Sequence, residues 1–305
     1  MLRLLPDLIW NSASRFGDSC AVKTGEKAVA YSELANLVGS MAAGLTELKV
    51  GRRERVVIYL EKRIEAVVAA FGTASAGCAF VPVNPLLKPD QVGHILQDSS
   101  ARVLITTRER LLLLEHVISA CSTLRHIIIV GSSAPDVLVY DDIATHSWTS
   151  LLASGGHQPE QHAIDTDMTA ILYTSGSTGK PKGVILSHRN LVAGAVSVAE
   201  YLENGPHDRI LSILPLSFDA GFSQLTTAFH AGACVVLHNF LFPKEAINLV
   251  AREAITGVTA VPPLWIQLAA LDWPADAQKS VRYFANTGGR MPRTTLDQLR
   301  QRMPG

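Results

Sequence analysis

From Arg55 to Val130 the chain repeats one rhythm, and that rhythm restricts the folds open to it. Short runs rich in valine and isoleucine alternate with segments of helical character. Arg55–Leu60 reads as a buried strand, Ile64–Thr73 as a helix, Ala79–Val83 as a strand and Asp90–Gln97 as a helix opened by Pro89. Val103–Thr106 then reads as a strand, Leu111–Ala120 as a helix and Ile127–Val130 as a strand. Strands that are apolar throughout are covered on both faces. Such strands, alternating with helices, pack as α/β layers around a mainly parallel sheet.

Before this region, Leu5, Leu8, Ile9, Ala13 and Phe16 fall at helical spacing and predict an amphipathic helix over 4–16. Ala21–Lys23 and Ala28–Tyr31 flank Thr24-Gly25-Glu26-Lys27, which suits a hairpin. Ser32 is placed to cap a helix that buries Leu34, Leu37, Met41 and Leu45. Residues 150–166 are polar and contain glycine, so a boundary is expected there. It divides the chain into a first α/β lobe, 1–165, and a second, 166–305. The second lobe is expected to hold a helix over His188–Leu202, a strand near Ile210–Leu214, a helix near Ser223–His230 and a strand over Cys234–Leu237. A helix over Lys244–Arg252, a strand over Gly257–Ala260 and a helix over Thr294–Arg302 follow.

Composition excludes several classes. The 305 residues are 48% hydrophobic and 18% charged, as in a globular chain with a sizeable core. Lys+Arg and Asp+Glu both count 27, so no polybasic surface for nucleic acid is expected. Ala66–Val83 lacks charge, but Gly72, Ser75, Gly77 and Pro82 interrupt it, so it reads as buried helix, turn and strand and not as a membrane span. Pro6 and Asp7 stand where a signal peptide needs an apolar run. Four scattered cysteines without a CxxC pair suit free thiols in a reducing cytoplasm. The ten histidines form neither H-x-H nor H-E-x-x-H, and no metal ligand set is expected from them. His188 follows a candidate N-cap, Ser187, and is expected to be structural.

The chemistry concentrates in Ile171-Leu-Tyr-Thr-Ser-Gly-Ser-Thr-Gly-Lys-Pro-Lys182. Thr174, Ser175, Ser177 and Thr178 supply hydroxyls, Gly176 and Gly179 free the backbone, and Lys180 and Lys182 supply charge. Such a loop can surround a polyanion, foremost a nucleoside triphosphate. A Walker loop needs four residues between its glycines and a helix after its lysine. Here two residues separate the glycines, and Pro181 discourages helical geometry at Lys180. Apolar runs on both sides make this a loop between strands.

These twelve residues resemble the phosphate-loop signature of the AMP-forming ligases, which comprise acyl-CoA synthetases, adenylation domains of nonribosomal peptide synthetases, and luciferases. Ala30-Tyr31-Ser32-Glu33-Leu34 is similar to the family's Y-x-E-L segment. Ala76-Gly77-Cys78-Ala79-Phe80-Val81-Pro82-Val83-Asn84-Pro85 is similar to its A-G-x-x-x-V-P segment. Ile95–Ser99 fits as well, and the resemblance runs from about Leu5 to the C-terminus. It implies two α/β lobes of a large N-terminal domain. It also implies an enzyme, an AMP-forming acid–thiol ligase of acyl-CoA synthetase type. A carboxylate attacks the α-phosphate of ATP, and CoA or a carrier protein's phosphopantetheine then takes the acyl group. ATP and Mg²⁺ are the implied cofactors. Thr174, Ser175, Gly176, Ser177, Thr178, Gly179, Lys180 and Lys182 are the implied phosphate-binding residues, with Lys182 balancing phosphate charge.

Leu214-Pro215-Leu216-Ser217-Phe218-Asp219-Ala220-Gly221 bears on the acid. Many acyl- and aryl-CoA synthetases of the family have histidine where Phe218 stands. Amino-acid-activating domains tend to have Phe-Asp, with the Asp pairing the substrate's ammonium. Phe218-Asp219 therefore points to an amino acid, although Asp219 as a helix cap explains the same residue. Asn286-Thr287-Gly288-Gly289-Arg290 resembles the segment that packs along adenine and the acyl pocket, so Gly288, Gly289 and Arg290 are implied site residues. The family's Tyr-Gly-x-Thr-Glu segment, its ribose-binding Asp and its small C-terminal domain with a catalytic Lys are not found by Gly305. The chain thus reads as the front of the large domain, and is expected to be inactive alone. Two other readings stay open: a phosphotransferase or NTPase with an unusual loop, which would yield ADP, and a non-catalytic nucleotide-binding lobe.

Overall fold

The computed structural model describes residues 3–131, 140, 142–155, 163–174 and 181–303. In chain order the elements are α1 (Asp7–Phe16), β1 (Cys20–Thr24), β2 (Lys27–Ala30), α2 (Tyr31–Glu47), β3 (Arg55–Tyr59), α3 (Ile64–Ser75) and β4 (Ala79–Pro82). Next come α4 (Pro89–Asp98), β5 (Ala101–Thr106), α5 (Arg108–Leu113), α6 (Glu115–Ile118), β6 (His126–Ile129), β7 (Ala144–Ser147) and α7 (Trp148–Leu151). Then follow β8 (Met168–Thr174), β9 (Lys182–Ser187), α8 (His188–Tyr201), β10 (Arg209–Ser212), α9 (Asp219–Ala231) and β11 (Cys234–Leu237). The last are α10 (Pro243–Arg252), β12 (Gly257–Ala260), α11 (Pro262–Ala269), α12 (Ala275–Ser280), β13 (Tyr283–Asn286) and α13 (Arg293–Arg302).

The strands form two sheets. One has seven strands in the order β7-β6-β5-β3-β4-β8-β9, the other six in the order β13-β12-β10-β11-β1-β2. Every pairing is parallel except the two hairpins, β1·β2 and β8·β9. This is the mainly parallel α/β architecture expected from the alternating buried strands. Strand pairing crosses residue 165 in both directions. β8 pairs with β4 of the first sheet, while β1, from the start of the chain, pairs with β11 of the second. Hydrogen bonding between remote segments decides this, and no local composition shift marks it.

Local differences have local causes. The helix expected over Leu111–Ala120 is two short helices meeting at Leu114. Thr107 caps the first with a side chain that accepts from Arg110 N–H. α2 begins at Tyr31, so Ser32 lies inside it and caps nothing. Tyr31 Oη instead donates to Ala233 O at 2.7 Å, tying α2 to the second sheet. Among the described residues no helix is long and apolar enough to cross a membrane.

An aromatic cluster joins the two sheets. Phe71 of α3 stacks on Phe222 of α9 at 5.7 Å and meets Phe229 edge-on at 5.2 Å. Phe80 of β4 lies 4.8 Å from Phe222. All four side chains are buried in one core that draws on both sheets. Separate apolar cores cover the outer faces, around Val57 and Leu104 on the first sheet and around Val258 and Trp265 on the second. Truncating Phe71 to alanine opens a cavity at this junction. We expect a loss of about 3–5 kcal/mol in unfolding free energy by urea titration, and a loss below 1 kcal/mol would contradict the junction's role.

Candidate active site

The carboxyl ends of parallel strands are where open α/β sheets bind ligands. Here the carboxyl ends of both sheets face one crevice, and Lys62 shows this directly. It follows β3 of the first sheet, yet its Nζ donates to Ser212 O (2.8 Å), the last residue of β10, and to His238 O (3.1 Å), just past β11, both of the second. Asn239 Oδ1 accepts from Lys62 N–H, and Asn239 Nδ2 donates to Lys62 O, each at 3.1 Å. A cavity of about 320 Å³ lies in the crevice, with Ile58, Pro82 and Asn84 on one side and Ile213, Pro215 and Phe240 on the other.

The hairpin that carries the hydroxyl- and lysine-rich loop stands at the edge of the first sheet. β8 and β9 pair antiparallel from Met168↔Ser187 to Thr174↔Lys182, so the loop does join two strands. Thr174 and Lys182 are exposed at its base. Ser175, Gly176, Ser177, Thr178, Gly179 and Lys180 lie outside the described residues. Gly183 is opposite Tyr173, and a Cβ there would come within 2.6 Å of Ile171 Cγ2 and 3.2 Å of the Tyr173 ring. Glycine lets the ring cross the strand. Tyr173 Oη then donates to Asp98 Oδ2 of α4 at 2.6 Å. Burial first, and this carboxylate second, push the phenol well above its usual range. His94 of the same helix bonds Pro181 O at 3.2 Å. α4 thus holds both sides of the hairpin.

The foot of the hairpin is anchored by charge. Asp167 is 2% exposed and takes Arg53 Nη2 at 2.7 Å, Arg52, and Ile164 N–H at 2.9 Å. Burial alone would raise its carboxyl. The Ile164 N–H and the two guanidinium groups outweigh burial and hold it well below the carboxylate range. His188 is buried beside this anchor and is structural. Its Nδ1 accepts from Leu5 N–H at 3.0 Å, and burial lowers its pKa to about 4. Ser187 caps α8, its hydroxyl accepting from Asn190 N–H.

A second cavity, about 200 Å³, opens against the six-stranded sheet. Asp219, Ser223, Gln224 and Thr227 line it from α9, and Tyr283 and Asn286 from β13. α9 begins at Asp219 with Phe218 in the capping position, and no side chain caps it. The capping explanation of Asp219 therefore fails. Asp219 is exposed at the cavity's mouth, where the helix N-terminus favours a carboxylate. Phe218 is 44% exposed and does not line this cavity. Gly221 sets the approach of α9, since a Cβ there would lie 2.0 Å from Pro215 O. Gly288 has φ +73° and turns the chain after β13, where Asn286 Nδ2 donates to Gly289 O at 2.7 Å. Gly288, Gly289 and Arg290 are exposed beside the cavity, while Asn286 and Thr287 line it.

Sequence reasoning missed Gln224 and Thr227. Both are 4% exposed, and Gln224 Oε1 and Thr227 Oγ1 have no hydrogen-bond partner among the described residues. Gln224 Nε2 is committed to Leu211 O at 2.8 Å, which fixes the amide's orientation and leaves its oxygen free. A buried acceptor left unpaired costs about 1–3 kcal/mol. Lys62 was missed too, because its partners are remote in sequence. Among the described residues no group of three or more His, Cys, Asp or Glu could hold a metal ion.

Two parallel-rich α/β sheets thus meet at a crevice, and the β8–β9 hairpin stands at the edge of one of them. Residues 9–305 match the AMP-binding enzyme family, and the chain belongs to it. The L-proline–[L-prolyl-carrier protein] ligase of Pseudomonas fluorescens is 29% identical over 98% of this chain and 58% of its own length. Tyrocidine synthase 3 of Brevibacillus parabrevis is 27% identical over 99% of this chain and 4% of its own length. Among solved structures, an anthranilate CoA ligase in complex with anthranoyl-AMP superposes with a TM-score of 0.89 at 22% identity, over all of this chain and 59% of that one. That structure shares the fold of the two sheets. The chain thus spans less than two thirds of each of these proteins.

Lys62 yields a pH prediction. Burial pushes its amine down to about 7. Between about pH 7 and 10 the folded form has lost this proton and the unfolded chain still holds it; the unfolded state binds the extra proton, so stability rises with pH across that window. Below pH 6 both states are protonated and the contribution is flat. Wild-type stability minus that of Lys62→Met should therefore rise from pH 7 to 10 in urea titrations. A difference that is level across that window would show that the amine is not perturbed.

Proposed function

We propose that the natural polypeptide carrying this chain is an AMP-forming acid–thiol ligase. It joins a carboxylic acid to the AMP moiety of ATP, releases pyrophosphate, and passes the acyl group to CoA or to a carrier protein's phosphopantetheine. Family membership supports the nucleotide half of this reading. The crevice supports it further, because Thr174 and Lys182, which bracket the hydroxyl- and lysine-rich segment, stand at the carboxyl end of β8 in the first sheet. Two anions must meet in the first step, and charge grows on departing pyrophosphate. Fixed donors and lysines lower that barrier. In this proposal Thr174, Ser175, Ser177, Thr178 and Lys182 hold the β- and γ-phosphates, Lys180 adds charge, and Gly176 and Gly179 let the loop close. Gly288, Gly289 and Arg290 border the adenine. Mg²⁺ enters with ATP, whose phosphates are its ordinary ligands. A cytoplasmic location belongs to the proposal, in keeping with four free thiols.

The observation that carries the substrate reading is the exposed carboxylate of Asp219 at the mouth of the cavity beside α9, whose wall includes the polar residues Ser223, Gln224 and Thr227. A carboxylate at such a mouth suits a substrate with an ammonium or amine near its carboxyl group. The name of the prolyl-carrier ligase is in keeping with an amino acid loaded onto a carrier.

ATP–pyrophosphate exchange with the full-length polypeptide tests both halves. Amino acids should drive exchange and simple fatty or aryl acids should not. Asp219→Ala should lower amino-acid-dependent exchange about tenfold or more, and Lys182→Ala about 10–100-fold, in line with ~1.5–3 kcal/mol for a charge-assisted contact. Exchange driven by fatty or aryl acids alone would reject the amino-acid reading. Exchange with no acid tested, and ADP as the nucleotide product, would reject the ligase.

A further inference from the structure

Away from the crevice, two cysteines from opposite parts of the chain come together. Cys20 opens β1 and Cys234 opens β11, and their sulfurs lie 2.8 Å apart, sharing a thiol hydrogen bond. β1 and β11 are hydrogen-bonded neighbours in the six-stranded sheet, with Val22 opposite Val235. A register shift between Cys20 and Val22, where β1 pairs with β2, displaces Cys20 from regular alternation. Cys20 is partly exposed and Cys234 is buried behind it.

The charges around the pair favour a thiolate at Cys20. After the hydrogen bond from Cys234, which lowers its pKa most, Arg209 at the start of β10 and Lys23, three residues on in β1, lower it further. Glu253 and burial act the other way, but Glu253 is engaged by Lys23 Nζ at 2.9 Å and Arg209 Nη2 at 2.7 Å. The same hydrogen bond raises the Cys234 thiol. Tyr31 also faces the pair, and its phenol is pushed up by burial and then by the two sulfurs. The other two cysteines lack this setting. Cys78 is buried, pushed up to about 12, and donates to Gly51 O at 3.3 Å. Cys121 is buried and bonded to Leu96 O at 3.5 Å.

We propose that Cys20 and Cys234 are a dithiol oxidised by hydroperoxides to a disulfide between β1 and β11. Cys20 thiolate attacks one peroxide oxygen. The O–O bond breaks, the leaving hydroxide takes a proton as water, and Cys20 becomes a sulfenic acid. The Cys234 sulfur then attacks the Cys20 sulfur, the S–O bond breaks, and hydroxide departs with the Cys234 proton as a second water. Two thiols give up two electrons and hydrogen peroxide accepts them. The sulfurs need only close from 2.8 Å to a bond of about 2.05 Å.

The test is peptide mapping of the full-length polypeptide after hydrogen peroxide at pH 7, with alkylation under denaturing conditions and digestion without reductant. We expect the Cys20 and Cys234 peptides to be recovered joined, two hydrogens lighter than their sum and separated by dithiothreitol. Cys78 and Cys121 should be recovered alkylated. Cys234→Ser should halt at a Cys20 sulfenic acid that dimedone captures, and Cys20→Ser should leave Cys234 alkylated. Recovery of Cys20 and Cys234 as separate alkylated peptides from treated wild type would overturn the proposal. So would oxidation of Cys78 or Cys121 at the same peroxide dose.

Discussion

The packing of Phe71 and Phe80 against Phe222 and Phe229 fixes the two sheets to each other, and the crevice depends on it. Each sheet has its own outer core on the face away from the junction. The shared core, with these aromatic rings at its centre, sets how the carboxyl ends of one sheet meet those of the other. Lys62 adds a polar tie at the crevice itself, reaching from beyond the end of β3 to carbonyls at the ends of β10 and β11. Burying that amine is costly, as its depressed pKa shows. The same position brings residues from both sheets within reach of one bound molecule.

The cavity beside α9 shows how a helix start can become a recognition surface. Gly221 admits the Pro215 carbonyl where any side chain would collide, and this seats the first turn of α9 against the end of β10. Asp219 is then at the mouth, and Gln224 and Thr227, further along the helix, are in the wall. Two buried acceptors without partners are a local deficit.

Periodic signals made much of the fold legible. Buried strands such as Val103–Thr106 and Ile127–Ile129 advertise themselves by apolar composition, and the β8–β9 hairpin by apolar runs around a polar loop. The helix α9 starts at Asp219, four residues before the expected Ser223, because Asp219 and Gly221 in its first turn are poor helix formers and hide the start. What could not be read depends on contacts between distant residues. Lys62 meets Ser212 across 150 positions, and Cys20 meets Cys234 across 214. The pairing of β1 with β11 gives no local signal either, and it moves the opening hairpin to the second sheet. Gln224 looked like an ordinary polar helix residue, and only the placement of Leu211 O shows why its oxygen is left free.

The central claim is that a carboxylate oxygen attacks the α-phosphorus of ATP at this crevice. Isotope transfer tests it most directly. The full-length polypeptide is given ATP and an amino acid labelled with ¹⁸O in its carboxyl group, with hydroxylamine present to release the acyl group. The account predicts AMP carrying one ¹⁸O in its phosphate, as the oxygen that formed the acyl–phosphate bond stays with phosphorus. Label recovered in inorganic phosphate with ADP as the nucleotide product would place the attack on the γ-phosphorus and contradict it.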